Sequence, residues 1–282
     1  MLTTSLILPH PALNDFIYNY AICNIQENIN LTYPWFANHE TSLGFFLGDT
    51  PVLIKTSNPE GERKSISKIC LFGLVTEFAG TVHFKGICNT FLIEFKPNGF
   101  NRLFKVPANE ICNTTFPASE LIGKEIAYLY EQLLNATSLE EKVCFADNYL
   151  LNIINSQKAL YSNDGITKIS YQLLNNSHRG NISEYANKAN MSVRNFERRF
   201  SEQVGTSPKL FCRLLRFNKA FKTKISFTKL SWTDIAYESG YYDTMHLIKE
   251  FKQFANASPA TLFHENPDFM DVGFETRERT SS

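Results

Sequence analysis

The chain has 282 residues, 43% of them hydrophobic, and its 28 Lys+Arg balance 28 Asp+Glu. That length exceeds the usual single-domain mode, so two domains are expected, with enough apolar residues to bury cores. The six cysteines lie far apart with no Cys-x-x-Cys, which argues against a zinc module or a disulfide scaffold, and no apolar run approaches membrane-spanning length.

The zero net charge hides an asymmetry. Residues 1–164 carry 11 Lys+Arg against 16 Asp+Glu (net −5), residues 165–265 carry 15 against 8 (net +7), and the last 17 carry 2 against 4 (net −2). An acidic unit is joined to a basic one, and the basic one has the footprint a nucleic-acid partner requires. The first 30 residues lack a basic start followed by an apolar run, so no signal peptide is expected, and the cytoplasm is the expected compartment.

In chain order, residues 11–20 (PALNDFIYNY) read as a short amphipathic helix with Pro11 near its start. From about residue 31 to 96 the pattern shifts to short strand-like runs, Ser42–Leu47, Val52–Lys55, Ile69–Thr76, Thr81–Phe84 and Thr90–Phe95, separated by Gly/Pro/Asn turn chemistry. Gly99–Phe104 reads as a helical turn. From Ser119 the period becomes helical, with Leu121, Ile122, Ile126, Leu129, Leu133 and Leu134 on one helix and Leu139–Ile154 on another. The N-terminal unit, residues 1–158, is therefore expected to be α+β, a small antiparallel sheet or partial barrel with helices. Trp35, Phe36, Phe45, Phe46, Phe84, Phe91 and Phe95 are its candidates for an apolar ligand pocket, a filled core being the commoner fate of such residues. His39-Glu40 and His83 lack the close His-x-His spacing of a metal site. No Ser/His/Asp order and no Gly-rich phosphate loop in proper context occurs, so no catalytic residue, metal or cofactor is expected.

Ser156–Gly165 breaks the periodicity and marks the boundary. An all-α unit is expected over 166–265, opening with a helix over Ile166–Asn176, and residues 266–282 read as a loosely held, flexible tail. Within the unit, Ile182–Phe211 reads as a short helix, a tight connection, a second helix and a new helix start at Ser207-Pro208. Phe196 and Phe200 share one face of the second helix, and Arg194, Glu197, Arg198 and Arg199 populate the rest. That is the layout of a helix-turn-helix DNA reader. The layout recurs about fifty residues later over Trp232–Phe263: Ile235-Ala236 matches Tyr185-Ala186, Leu247 and Phe251 match Phe196 and Phe200, and Ser258-Pro259 matches Ser207-Pro208. The offset grows by one residue inside the turn, at Asp243. The two helix-turn-helix units are placed at 182–203 and 232–255. A helix from Lys209 to about Ile225, lined by Arg213, Arg216, Lys219, Lys222 and Lys224, joins them as a spacer of roughly 21–25 Å.

These residues resemble the AraC/XylS transcription regulators. The run Ala186…Met191-Ser192-x-Arg194…Arg198-x-Phe200…Gly205-x-Ser207-Pro208-x-x-Phe211…Arg216…Ala220 resembles the family's first reader. Ile235-Ala236…Gly240-Tyr241-x-Asp243…Leu247…Phe251-Lys252…Ser258-Pro259 resembles its more distinctive second one. The resemblance implies seven helices, recognition helices in successive major grooves of double-stranded DNA, and RNA polymerase as a partner. The chain departs from the pattern at Ala255-Asn256, Leu262 and Thr223-Lys224. More loosely, Phe91–Phe104 and Leu121-Ile122-Gly123 resemble a sensor-like domain found before this module, which implies a regulatory or homodimerising role and names no ligand; a small-molecule effector is a candidate partner.

On the first reader Arg194, Glu197 and Arg198 are the candidates for base contact, Arg for guanine O6/N7 and Glu for cytosine N4. On the second they are Thr244, Met245, Ile248 and Lys249, with Met245 and Ile248 suited to thymine methyls. Arg199, Lys209, Arg213, His246 and Lys252 are the phosphate candidates. The expected function is a sequence-specific, DNA-binding activator controlled by its N-terminal domain. Two rivals stay open: a DNA-addressed enzyme with a catalytic N-terminal domain, and a ligand-free regulator whose N-terminal domain only binds a partner.

Overall fold

The computed structural model describes residues 3–24, 27–55, 62–156, 164–175, 181–265 and 273–277. Its strands are β1 (Thr3–Ile7), β2 (Ile17–Cys23), β3 (Ile29–Trp35), β4 (Thr41–Phe46), β5 (Val52–Lys55), β6 (Glu62–Ser65), β7 (Ile69–Phe72), β8 (Gly80–Gly86), β9 (Thr90–Phe95), β10 (Thr115–Pro117) and β11 (Gly273–Arg277). They form one sheet in the order β10-β7-β4-β9-β2-β1-β11 and a second in the order β3-β8-β5-β6. All pairings are antiparallel except β1 with β11.

Central strand β9 shows why the sheet has two different faces. Phe91, Ile93 and Phe95 alternate into the core, and Leu92 and Glu94 point the other way. The inward face packs under helices α1 (Gly99–Phe104), α2 (Ala118–Ile122), α3 (Ile126–Asn135) and α4 (Leu139–Ser156). Buried Asp147 of α4 fastens this layer, accepting hydrogen bonds from the His10 N–H at 2.9 Å and the Tyr20 hydroxyl at 2.7 Å. The outward face, with Glu94, is turned toward the C-terminal half.

The helix expected over 11–20 does not form. Pro11–Leu13 is a 3-10 turn and Ile17 onward is strand β2. Leu13, Phe16, Ile17 and Tyr20 imitate a helical face, but all four are buried by sheet pairing and packing, because β2 is laddered on both sides by β1 and β9. The long helix expected from Ser119 is cut at Gly123, whose φ of 91° separates α2 from α3. Five residues of the tail, 273–277, form β11 beside β1 rather than a loose end. Of the expected boundary, Ser156–Gly165, residues 157–163 lie outside the described residues.

The C-terminal half has seven helices among the described residues: α5 (Gly165–Asn175), α6 (Ile182–Lys188), α7 (Val193–Val204), α8 (Pro208–Ser226), α9 (Trp232–Glu238), α10 (Thr244–Ala255) and α11 (Pro259–Glu265). Ser207 caps α8, accepting from the Leu210 N–H at 3.3 Å, and Pro208 takes the first helical position. The helices make two cores. One holds Ile169, Tyr185, Phe196, Phe200, Phe211 and Leu215; the other holds Leu214, Phe217, Ile235, Leu247, Phe251 and Phe254. Helix α8 belongs to both. At about 100° per residue, Phe211, Cys212 and Leu215 share one face and Leu210, Leu214, Phe217 and Phe221 another.

The two halves are packed together. Ala37 and Leu74 of the N-terminal domain are buried within the second core, and the Ala37 N–H donates to the Phe254 carbonyl at 3.0 Å. Asn98 Nδ2 donates to Thr167 Oγ1 at 2.8 Å and to Gln203 Oε1 at 3.1 Å. Gly205 ends α7 with φ of 106°, and a Cβ there would come within 2.5 Å of Leu74. Only glycine satisfies both the left-handed cap and the domain contact. No described helix is long and apolar enough to cross a membrane.

Phe217 sits at the centre of the second core, with ring centroids 4.9 Å from Phe251 and 5.4 Å from Phe254. Phe217→Ala is expected to cost about 3–5 kcal/mol of stability, read as a lower denaturation midpoint with an unchanged denaturant slope.

Candidate nucleic-acid interface

The two helix-turn-helix units are built by the same local chemistry. Asn181 caps α6 and Ser192 caps α7; Ser231 caps α9 and Asp243 caps α10, the last accepting from the His246 N–H at 2.7 Å. Each turn passes through one left-handed residue, Asn190 (φ 54°) and Gly240 (φ 82°), and closes with the same hydrogen bond, Met191 N–H to Ala186 O and Tyr241 N–H to Ala236 O, both 2.9 Å. Met191 directly precedes its cap and Tyr241 precedes its cap by two. The extra residue of the second unit is therefore Tyr242, 92% exposed, one position before the Asp243 expected.

On α7, Arg194, Glu197 and Arg198 are exposed and lie opposite buried Phe196 and Phe200. Arg198 is held by its own helix, Nη1 3.1 Å from Glu202 Oε2 and Nη2 donating to Asn195 Oδ1 at 3.1 Å. Arg199 lies about 100° beyond Arg198 around the helix and leaves this face. Its Nη2 is 3.2 Å from Asp164 Oδ2, at the start of α5. Burial would raise the Asp164 carboxyl, but hydrogen bonds from Gln203 and Thr167, and then the charge of Arg199, hold it below the usual range. Arg199, a candidate for phosphate contact, thus also ties α7 to α5.

On α10, Met245 is 72% exposed and shares the outward stripe with Lys249 and Lys252, while Thr244 and Ile248 are half-buried at its edge. Ile248 packs against the second core, so its surface is shared between packing and solvent. The seventh residue after each cap differs in sign: Arg199 in the first unit, Glu250 in the second. Glu250 is 2% exposed, and Arg213 Nε donates to its Oε1 at 2.8 Å. Arg216 Nη2 is 3.3 Å and His246 Nε2 3.6 Å from the same oxygen. Burial, and then the charge of Glu250, push the neighbouring Tyr241 phenol up.

Lys209, Arg213 and Arg216 lie on the strip of α8 between its two apolar faces. With Asn181, His246 and Lys249 they line a cleft of about 850 Å³ between the readers, with Glu250 as its one acid among the lining residues. This cleft and its organiser Glu250 were not anticipated. The signal was present as the single acid in a repeat position that otherwise carries Arg199. The aromatic residues proposed for a pocket do not converge. Phe45, Phe91 and Phe95 fill the N-terminal core, and Phe46 packs with Phe72 in a smaller cluster. Phe84 stacks edge-on with Tyr33, and Trp35 and Phe36 border a separate cavity between the domains. A filled interior buries these rings at less cost than an empty one.

Residues 185–265 match the family model of a helix-turn-helix domain, and residues 5–117 match a domain of unknown function, DUF6597. The chain is similar to the HTH-type transcriptional activator RhaS of Escherichia coli, 29% identical over 90 residues, and the match spans about a third (32%) of the length of each chain. Among solved structures it is similar to ToxT from Vibrio cholerae (TM-score 0.48, 14% identity, covering 86% of this chain and 97% of that one). It is also similar to the DNA-binding domain of AdpA solved with a target DNA (TM-score 0.35, 22% identity, 39% and 99%). Fold, repeat and match define a double helix-turn-helix domain of the AraC/XylS type. That likeness is confined to residues 185–265, and it is to the AraC-type helix-turn-helix domain.

Glu250→Ala strands Arg213 and Arg216 without their counter-ion, and a loss on the order of 3 kcal/mol is expected. Arg198→Ala breaks an exposed pair, whose side chains are 66% and 48% accessible, and an exposed hydrogen bond to Asn195, and is expected to change stability by less than about 1 kcal/mol. Chemical denaturation of both variants checks the contrast.

Proposed function

We propose that the protein is a sequence-specific DNA-binding regulator of transcription that lays α7 and α10 into successive major-groove segments on one side of the duplex. The observation that carries this reading is the repetition of two units, cap for cap, on a single shared helix whose middle strip is basic. A 19-residue α8 is about 28 Å long, a spacer near the ~34 Å of one DNA turn. Arg194 and Arg198 read guanine edges, and Glu197 a cytosine amino group. Met245 and Ile248 meet thymine methyls, with Thr244 and Lys249 adding polar contacts. Lys209, Lys252, His246 and the outer edge of Arg213 hold phosphates and fix register without specifying sequence.

The name of RhaS, a transcriptional activator, supports activation as the outcome, and activation makes RNA polymerase a partner in the cytoplasm. Control by the N-terminal domain is supported by its direct packing on both readers, through Ala37 and Leu74 on the second and Asn98 on the first.

Arg198→Ala is expected to lose about 1–3 kcal/mol of discrimination between preferred and unrelated DNA. Lys209→Ala is expected to weaken both about equally and to lower the slope of log affinity against log salt by about 1. Electrophoretic-shift titrations over a salt series on genomic fragments measure both.

A further inference from the structure

Between the domains lies a cavity of about 830 Å³ that the DNA reading does not use. One wall is the outward face of the N-terminal sheet and the segment after β3; the other is the second half of α8. Trp35, Phe36, Phe217 and Phe221 supply apolar rings, the rings of Phe36 and Phe221 standing 5.2 Å apart across the domain boundary. The polar lining is acidic. Glu94 reaches the cavity by the alternation of β9, and Asn19, its partner in register on β2, donates to its Oε2 at 2.8 Å. Glu40 lies on the same lining, with Lys222 Nζ 3.7 Å away. Lys222 is 70% accessible and is the one lysine on the lining, against two carboxylates. His39 is nine-tenths buried there, and its Nδ1 has no partner among the described residues.

We propose that this cavity binds a small organic cation, a protonated amine on an apolar body, with Glu94 and Glu40 as counter-ions and the aromatic rings around its body. An ammonium group gives Glu94 a positive charge at hydrogen-bonding range. Flanking rings favour a cation over their faces. An anionic ligand would face two carboxylates with one solvent-exposed lysine to oppose them.

The titration of the lining agrees. Burial, and then the charge of Glu40, raise Glu94 to about 7, with Asn19 and Lys222 opposing. Burial would raise Glu40, but His39 and then Lys222 hold it low. Burial lowers His39, with Glu40 opposing, and burial, then Glu40, raises the Tyr18 phenol. A bound cation favours ionised Glu94 and releases its proton. Affinity therefore rises with pH through 7 and is lost as Glu94 protonates below it.

This inference stands apart from the DNA reading, and its test uses no DNA. Calorimetry on the full chain compares 2-phenylethylamine, protonated across pH 6–8, with 3-phenylpropionate. The expected result is saturable binding of the amine that strengthens from pH 6 to pH 8, and no binding of the acid. Glu94→Gln, which keeps the Asn19 contact, is expected to weaken the amine about tenfold or more and to flatten its pH dependence. Lys222→Met is expected to preserve or strengthen amine binding. Preference for the acid, no amine binding at millimolar concentration, an unchanged Glu94→Gln, or loss of amine binding in a folded Lys222→Met protein overturns the proposal.

Discussion

Helix α8 has to satisfy two cores at once, and the rest of the C-terminal half follows from that constraint. Phe211 and Leu215 are buried in the first core and Leu214, Phe217 and Ala220 in the second. Neither reader can rotate about α8 without exposing large apolar side chains, each worth roughly 1.5–3 kcal/mol on burial. The strip left between these two faces is where Lys209, Arg213 and Arg216 emerge. The same helical periodicity that fixes the readers therefore puts a row of cations between them. Glu250 makes this row tenable: without it, two guanidiniums would crowd one partly buried cleft.

Charge placement separates the two halves of the repeat more than shape does. The caps, the turn hydrogen bonds and the buried aromatic steps are equivalent. At the seventh position after the cap, Arg199 turns inward to Asp164 and Glu250 turns inward to α8. Both fasten the recognition helix to its neighbour by a charge of opposite sign, half-buried in Arg199 and buried in Glu250. The outward faces differ too. Arg194, Glu197 and Arg198 are exposed, whereas α10 presents Met245 with Ile248 at its edge. On the function proposed above, reading by hydrogen bond falls mainly to the first unit, and reading by methyl contact and phosphate to the second.

The helical half was legible because its signals are local. Ser-Pro starts, the step from Phe196 to Phe200 and its echo from Leu247 to Phe251 lie within a few residues of one another, and repetition separated them from chance. The sheet half was legible only where a strand announces itself, as Thr90–Phe95 does by alternation. Strand β2 was hidden because Leu13, Phe16, Ile17 and Tyr20 also fit a helical face; sheet pairing with residues some 70 positions away decided the matter. The Glu250 cluster, the turn of Arg199 toward Asp164 and the facing of Glu94 onto α8 all depend on contacts between distant segments. A one-dimensional pattern carries the charge of such residues but not their partners. Ala37 and Leu74, two unremarkable residues on N-terminal loops, complete the core of the second reader for the same reason. The domains are not beads on a string; one supplies part of the other's interior.

In vitro selection of random duplexes by the full protein, followed by sequencing, tests the central claim, a two-groove reader held rigid by α8. Two conserved blocks are predicted, about 10–10.5 base pairs apart centre to centre, at a fixed spacing, with the more sharply specified block lost on Arg198→Ala. A single block, or two blocks whose spacing varies freely, would contradict the account.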